Sequence, residues 1–120
     1  MLEVLPETQG KVLALKATGK LTDEDYKDVL IPRLEAILHE HGKARILLDL
    51  GEEFPGMEAA AVLDDLRVGL GHRHDFEKVA VVSSSQWIRS LLKMAAGLMS
   101  GEIESFFPSE RGRALEWIQA

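Results

Sequence analysis

Ala44-Arg-Ile-Leu-Leu-Asp-Leu50 is a nearly continuous apolar run, and Val79-Ala-Val-Val82 is a second, shorter one. A strand with one face in water alternates apolar and polar residues; a strand covered on both faces does not. Both runs therefore read as buried strands of a sheet flanked by helices. Between them lies a loop, Gly51-Glu-Glu-Phe-Pro-Gly56, followed by helical spacing from Met57 to about Gly71 with Ala60, Leu63, Leu66 and Leu70 on one side. Strand, helix, strand in that order is a βαβ unit with a right-handed crossover.

Towards the N-terminus, Lys11 to Thr18 reads as a strand bounded by Gly10 and Gly19, and Leu2 to Leu5 as a shorter one joined to it through a Gln9-Gly10 turn. Thr22 is placed to cap a helix, with Asp23, Glu24 and Asp25 favouring the positive end of its dipole. Tyr26, Leu30, Leu34, Ile37 and His41 follow at helical spacing until Gly42 stops the element. Pro32 predicts a kink or a split within it, because proline lacks an amide donor and crowds the preceding turn. Beyond Val82, Ser83-Ser-Ser85 predicts helix entry, Gln86 to Leu98 a helix, Glu102 to Phe107 an edge strand and Glu110 to Ile118 a terminal helix. The expected architecture is α/β: a mostly parallel sheet of four or five strands with about four helices, in one domain over residues 1–120.

The 120-residue length agrees with one domain, burying roughly two-thirds of the unfolded surface. Fourteen Lys and Arg against 20 Asp and Glu give a net charge of −6, which argues against a nucleic-acid partner because phosphate backbones need a basic face. With no cysteine, disulfides, thiol nucleophiles and cysteine metal sites are excluded. Met1-Leu-Glu-Val-Leu-Pro-Glu7 lacks the basic and apolar regions of a secretory signal, and no apolar run approaches the ~20 residues of a membrane span. The expected location is the cytoplasm.

Catalytic and metal chemistry find little support. His39 and His41 project about 200° apart on a helix, which suits a solvated C-terminal turn better than a metal site. His72 and His74 fall at a helix end with the same reading. Glu52, Glu53, Glu58, Asp64 and Asp65 are explained as a charged loop and a polar helix face. The chain has no G-x-S-x-G elbow, Walker loop or G-x-G-x-x-G fingerprint. The Ser83–Ser85 amides could bind an anion, but a serine hydroxyl capping the next helix is the simpler role. No catalytic residue, metal or cofactor is expected.

The segment Trp87 to Met99 is the least ordinary. At about 100° per residue, Trp87, Ile88, Leu91, Leu92, Met94, Ala95, Leu98 and Met99 fill an arc of roughly 160°, with Arg89 and Lys93 opposite. No acidic residue occurs from Ser83 to Gly101 in an otherwise acidic chain. A wide apolar face, basic polar residues, a Trp near one end and adaptable Met side chains fit an interfacial helix. A core-facing helix gives a related stripe.

Taken in order, Tyr26-Lys-Asp-Val-Leu-Ile-Pro32, Arg45-Ile-Leu-Leu-Asp-Leu50, Asp64-Asp-Leu-Arg-Val-Gly-Leu-Gly-His72, Asp75-Phe-Glu-Lys-Val-Ala-Val-Val82 and Trp87-Ile-Arg89 resemble the SpoIIAA-like family, small STAS-related bacterial proteins. The resemblance spans nearly the whole chain and implies the fold of anti-sigma factor antagonists. Those antagonists switch through a phosphorylated Ser in a D-x-S context after the central strand. Here Asp49-Leu50-Gly51 puts glycine at that place, so the switch does not carry over. The family is also similar to CRAL-TRIO-type lipid carriers, which implies an apolar cavity between the sheet and a mobile helix.

The expectation is a non-enzymatic binding domain for a non-polar small molecule or lipid, docking on anionic membrane surfaces through the 86–99 helix. Its contacts are Trp87, Ile88, Arg89, Leu91, Leu92, Lys93, Met94, Leu98 and Met99. The alternative is a protein-interaction module independent of phosphorylation, working through Gly51, Glu52, Glu53, Phe54 and Met57. A homodimer would be a competing use of the apolar surface.

Overall fold

The computed structural model describes residues 2–17, 23–51, 75–84, 86–97 and 101–120. Strands β1 (Leu2–Val4), β2 (Val12–Ala17), β3 (Ala44–Gly51), β4 (Phe76–Ser83) and β5 (Glu102–Phe106) form one sheet ordered as in the chain. β1 pairs antiparallel with β2; every other pairing is parallel. The two apolar runs thus occupy adjacent central strands, with Ile46 beside Val79 and Leu48 beside Val81. The expected mostly parallel sheet is present, with five strands among the described residues.

Helices α1 (Ile31–His41), α2 (Gln86–Ala96) and α3 (Arg111–Gln119) flank it. Leu30, Leu34 and Ile37 enter one apolar cluster with Leu13, Leu15, Ile46, Leu50 and Val81, and Leu92 of α2 packs against that cluster. On the opposite face, Ala114 and Ile118 of α3 meet Val12, Ala14, Leu47, Ala80 and Val82. Two helices therefore share one face and α3 covers the other. The expectation of about four helices is not met among the described residues, where these three are the helices of nine residues or more. The Met57–Gly71 helix and the Thr22 cap lie outside them.

Pro32 acts one turn earlier than a simple kink. Asp23–Asp25 is a short α-helical turn, and Tyr26–Leu30 is a π-helical turn leading into α1. Pro32 has no N–H for the Asp28 carbonyl, and its ring crowds that carbonyl, which favours widening of the turn before it. At the other end Gly42 takes φ +77° and donates its N–H to the Leu38 carbonyl, a left-handed cap that glycine adopts without strain.

The β1–β2 connection closes at Gln9 and Val12, whose backbones exchange both hydrogen bonds around Gly10. Thr8 braces it, its Oγ1 accepting the Ala14 N–H at 3.0 Å and donating to the Ala14 carbonyl at 3.1 Å. β4 begins at Phe76, three residues before the apolar run, and ends at Ser83. Ser83 closes the strand and is buried, at 3% exposure, and the expected helix begins at Gln86, directly after the serine run. Glu102–Phe106 is the expected edge strand, and a 3₁₀ turn at Pro108–Glu110 leads into α3.

Candidate functional site

Three surfaces carry side chains of chemical interest. The first is the corner where α2 meets the end of β5. At the other, amino end of β5, Gly101 lets the chain enter the strand tight against β4: a Cβ there would collide with the Phe76 carbonyl oxygen and lie 2.9 Å from that of Glu77. β5 then delivers Phe107, a large apolar side chain exposed at 44%. Its N–H donates to Glu110 Oε1 at 3.0 Å, and the Glu110 N–H returns to its carbonyl. The Arg89 guanidinium of α2 lies over the Phe107 ring at 3.9 Å from the centroid. Such a stack holds a cation against an aromatic face and is worth about 0.5–1 kcal/mol at an exposed site.

Of the residues expected on the interfacial helix, Leu92 is half-buried against the core, Lys93 is exposed, and Arg89 is half-buried in its stack. Trp87, Ile88, Leu91 and Met94 lie on α2. Leu98 and Met99 lie outside the described residues. Arg89, expected with Lys93 opposite the apolar arc, lies over the exposed Phe107 ring. Phe107 escaped the sequence reading, because a single aromatic before a proline carries no periodic signal.

The second surface lies at the carboxyl ends of the parallel strands. Asp49 is 6% exposed and accepts a hydrogen bond from Arg111 Nε at 3.0 Å, and a second Arg111 nitrogen lies 3.3 Å from Glu7. Asp49 above all, then Glu7, reinforces the protonation of the Arg111 guanidinium against the effect of burial. This triad fastens the start of α3 to β3 and to the β1–β2 connection. Gly51 stands beside Ser83 at the same end. Glu52, Glu53, Phe54 and Met57 of the alternative loop lie outside the described residues.

The third surface lies at the opposite, amino ends of the strands. Glu77 accepts from Lys11 Nζ at 2.8 Å and from Arg45, whose Nη1 donates to the Ile118 carbonyl at 3.0 Å. The hydrogen bond from Lys11, then that from Arg45, holds the Glu77 carboxyl down at about 2 in spite of partial burial. A cavity of about 320 Å³ opens beside this network, lined by Glu7, Gln9, Lys11, Val12, Arg45 and Gln119. It lies on the α3 side of the sheet, not beneath α2.

His39 and His41 are exposed in the last turn of α1, and no three metal-ligating side chains gather among the described residues. His72 and His74 lie outside them. No helix among them is long and apolar enough to cross a membrane.

The sequence profile of the SpoIIAA-like family matches residues 12–119. Among solved structures, the chain is similar to a protein of the DUF3478 family with a SpoIIAA-like fold from Shewanella loihica PV-4. The two are 30% identical, with a TM-score of 0.75 over 98% of this chain and 93% of that one. Comparison with curated proteins gives no match.

Proposed function

The chain belongs to the SpoIIAA-like family, and from that premise we propose a non-catalytic binding module whose working surface is the corner between α2 and the end of β5. This surface associates peripherally with anionic membranes, and the apolar side of the 86–99 helix takes a non-polar ligand. The observation that carries the reading is the Arg89 guanidinium stacked on the exposed Phe107 ring. An exposed aromatic under a basic side chain from a helix without acidic residues suits the boundary between headgroups and acyl chains. Arg89 and Lys93 each contribute ~1 kcal/mol near an anionic surface. The net charge of −6 opposes them, so association is weak and reversible.

Flotation with phosphatidylserine-containing and purely neutral vesicles tests this reading. The expected result is binding to the anionic vesicles that weakens with salt and falls several-fold in Phe107→Ala and Trp87→Ala. Absence of flotation at low salt overturns it.

A second reading keeps one specific observation in its favour. Gly51 and Ser83 end adjacent parallel strands in register, so the Gly51–Met57 loop leaves the sheet at its carboxyl end. A protein partner engaging the Gly51–Met57 loop without phosphorylation would use that end, and Glu53→Ala or Phe54→Ala would abolish its capture.

A further inference from the structure

The outer edge of β5, last in the sheet, is chemically distinct from the corner of α2 and Phe107. Among the described residues β5 has one strand neighbour, β4, so every other residue of Glu102–Phe106 turns its N–H and C=O away from the sheet. Natural sheets commonly blunt such an edge with lysine, a bulge, or a covering loop. On β5 the charges are two carboxylates, which guard the edge against like strands but leave it open to a basic one.

Glu102 and Glu104 are exposed and project on the α3 face, about 7 Å apart by the two-residue repeat of a strand. Glu102 is in register with Lys78, but Lys78 Nζ donates to the Trp117 carbonyl at 3.1 Å and lies over the Trp117 ring. Glu104 is in register with Ala80. Among the described residues neither carboxylate has a hydrogen-bond or ion-pair partner. On the other face Ile103 is half-buried beside Val79, which packs against the α1-side core. Pro108, which has no N–H, ends the usable edge.

We infer that the β5 edge accepts an extended basic segment of a partner protein, in which Lys or Arg alternates with apolar residues. Main-chain hydrogen bonds to β5 supply the attachment. The basic side chains meet Glu102 and Glu104, and the apolar ones continue the Ile103 side next to α2. The same carboxylates discriminate against a second copy of this chain: antiparallel β5 strands would bring Glu against Glu within about 5 Å, which is repulsive.

The probe is a capped peptide of about five residues in which Lys and Val alternate, with three comparisons: Glu in place of Lys, N-methylation of alternate amides, and the Glu102→Lys, Glu104→Lys double variant of the protein. The basic peptide is expected to bind and to slow amide exchange in β5. N-methylation on its hydrogen-bonding edge should weaken it about tenfold or more, and the double variant should prefer the Glu peptide. Both changed residues are exposed, so that variant is expected to fold. The inference is overturned by no binding of the basic peptide, by binding indifferent to N-methylation, by protection elsewhere than β5, or by self-association through β5.

Discussion

The two faces of the sheet are built differently. The face under α1 and α2 is held by branched aliphatic side chains: Leu13, Leu15 and Leu34 are fully or almost fully buried, with Ile37, Leu50 and Val81 around them. The face under α3 has a smaller apolar patch, rich in Ala and Val, between two charged clusters. Asp49 and Arg111 stand at the carboxyl ends of the strands, tied to Glu7 of the β1–β2 connection, and Lys11, Arg45 and Glu77 stand at the amino ends. Apolar burial is strong and non-directional, whereas a hydrogen-bonded ion pair is weaker but specifies where a helix starts and stops. The first face supplies stability; the second fixes the placement of α3.

The comparison breaks most visibly at Leu34. Truncation to Ala removes a fully buried side chain from the larger core and is expected to cost about 3 kcal/mol, read from denaturant unfolding. Ile118→Ala, a truncation of the same size on the other face, should cost less, about 2 kcal/mol. Equal losses at the two positions would mean that the faces contribute alike.

Asp49→Asn tests the charged side of the contrast. The amide keeps the shape but withdraws the charge from Arg111, whose side chain is 38% exposed and so retains water as a partner. The expected loss is about 1–2 kcal/mol, and added salt should narrow the difference from the native protein. A salt-independent loss as large as that of Leu34→Ala would show packing, not charge, at this end of α3.

The legible part of this fold follows from the same contrast. Apolar burial leaves a local signature, so Ala44–Leu50, Val79–Val82 and the Leu30, Leu34, Ile37 spacing could be read directly. Ion-pair placement leaves none. Phe76-Glu77-Lys78 looks like loop because its charges are matched only in space, by Lys11 66 positions away, Arg45 32 away and the Trp117 carbonyl 39 away. That is why β4 starts earlier than its apolar run. Pro32 announced a disturbance in the first helix, but not that it would take the form of a π turn. At the candidate site the amphipathic pattern of α2 was visible, while the Arg89–Phe107 stack joins residues from two elements and has no sequence period.

Glu77 gives the smallest effect, and one that only the charged face can show. Its carboxyl is held at about 2 in the folded chain against an ordinary 4.5, by Lys11 first and then Arg45. The unfolded chain therefore binds the proton more readily, and folding gains from Glu77 above pH ~4.5 and loses that gain as pH falls towards ~2. The side chain is 33% exposed, so solvent screening reduces the contribution to the order of 1 kcal/mol. Glu77→Gln should be slightly less stable than the native protein at pH 7 and should converge with it in acid, measured as unfolding free energy at intervals between pH 7 and 2. Leu34→Ala should instead stay displaced by a constant amount across that range, since no proton is linked to its loss. Parallel curves for Glu77→Gln and the native protein would remove the pH dependence assigned to this end of the α3 face, leaving its cluster a matter of geometry alone.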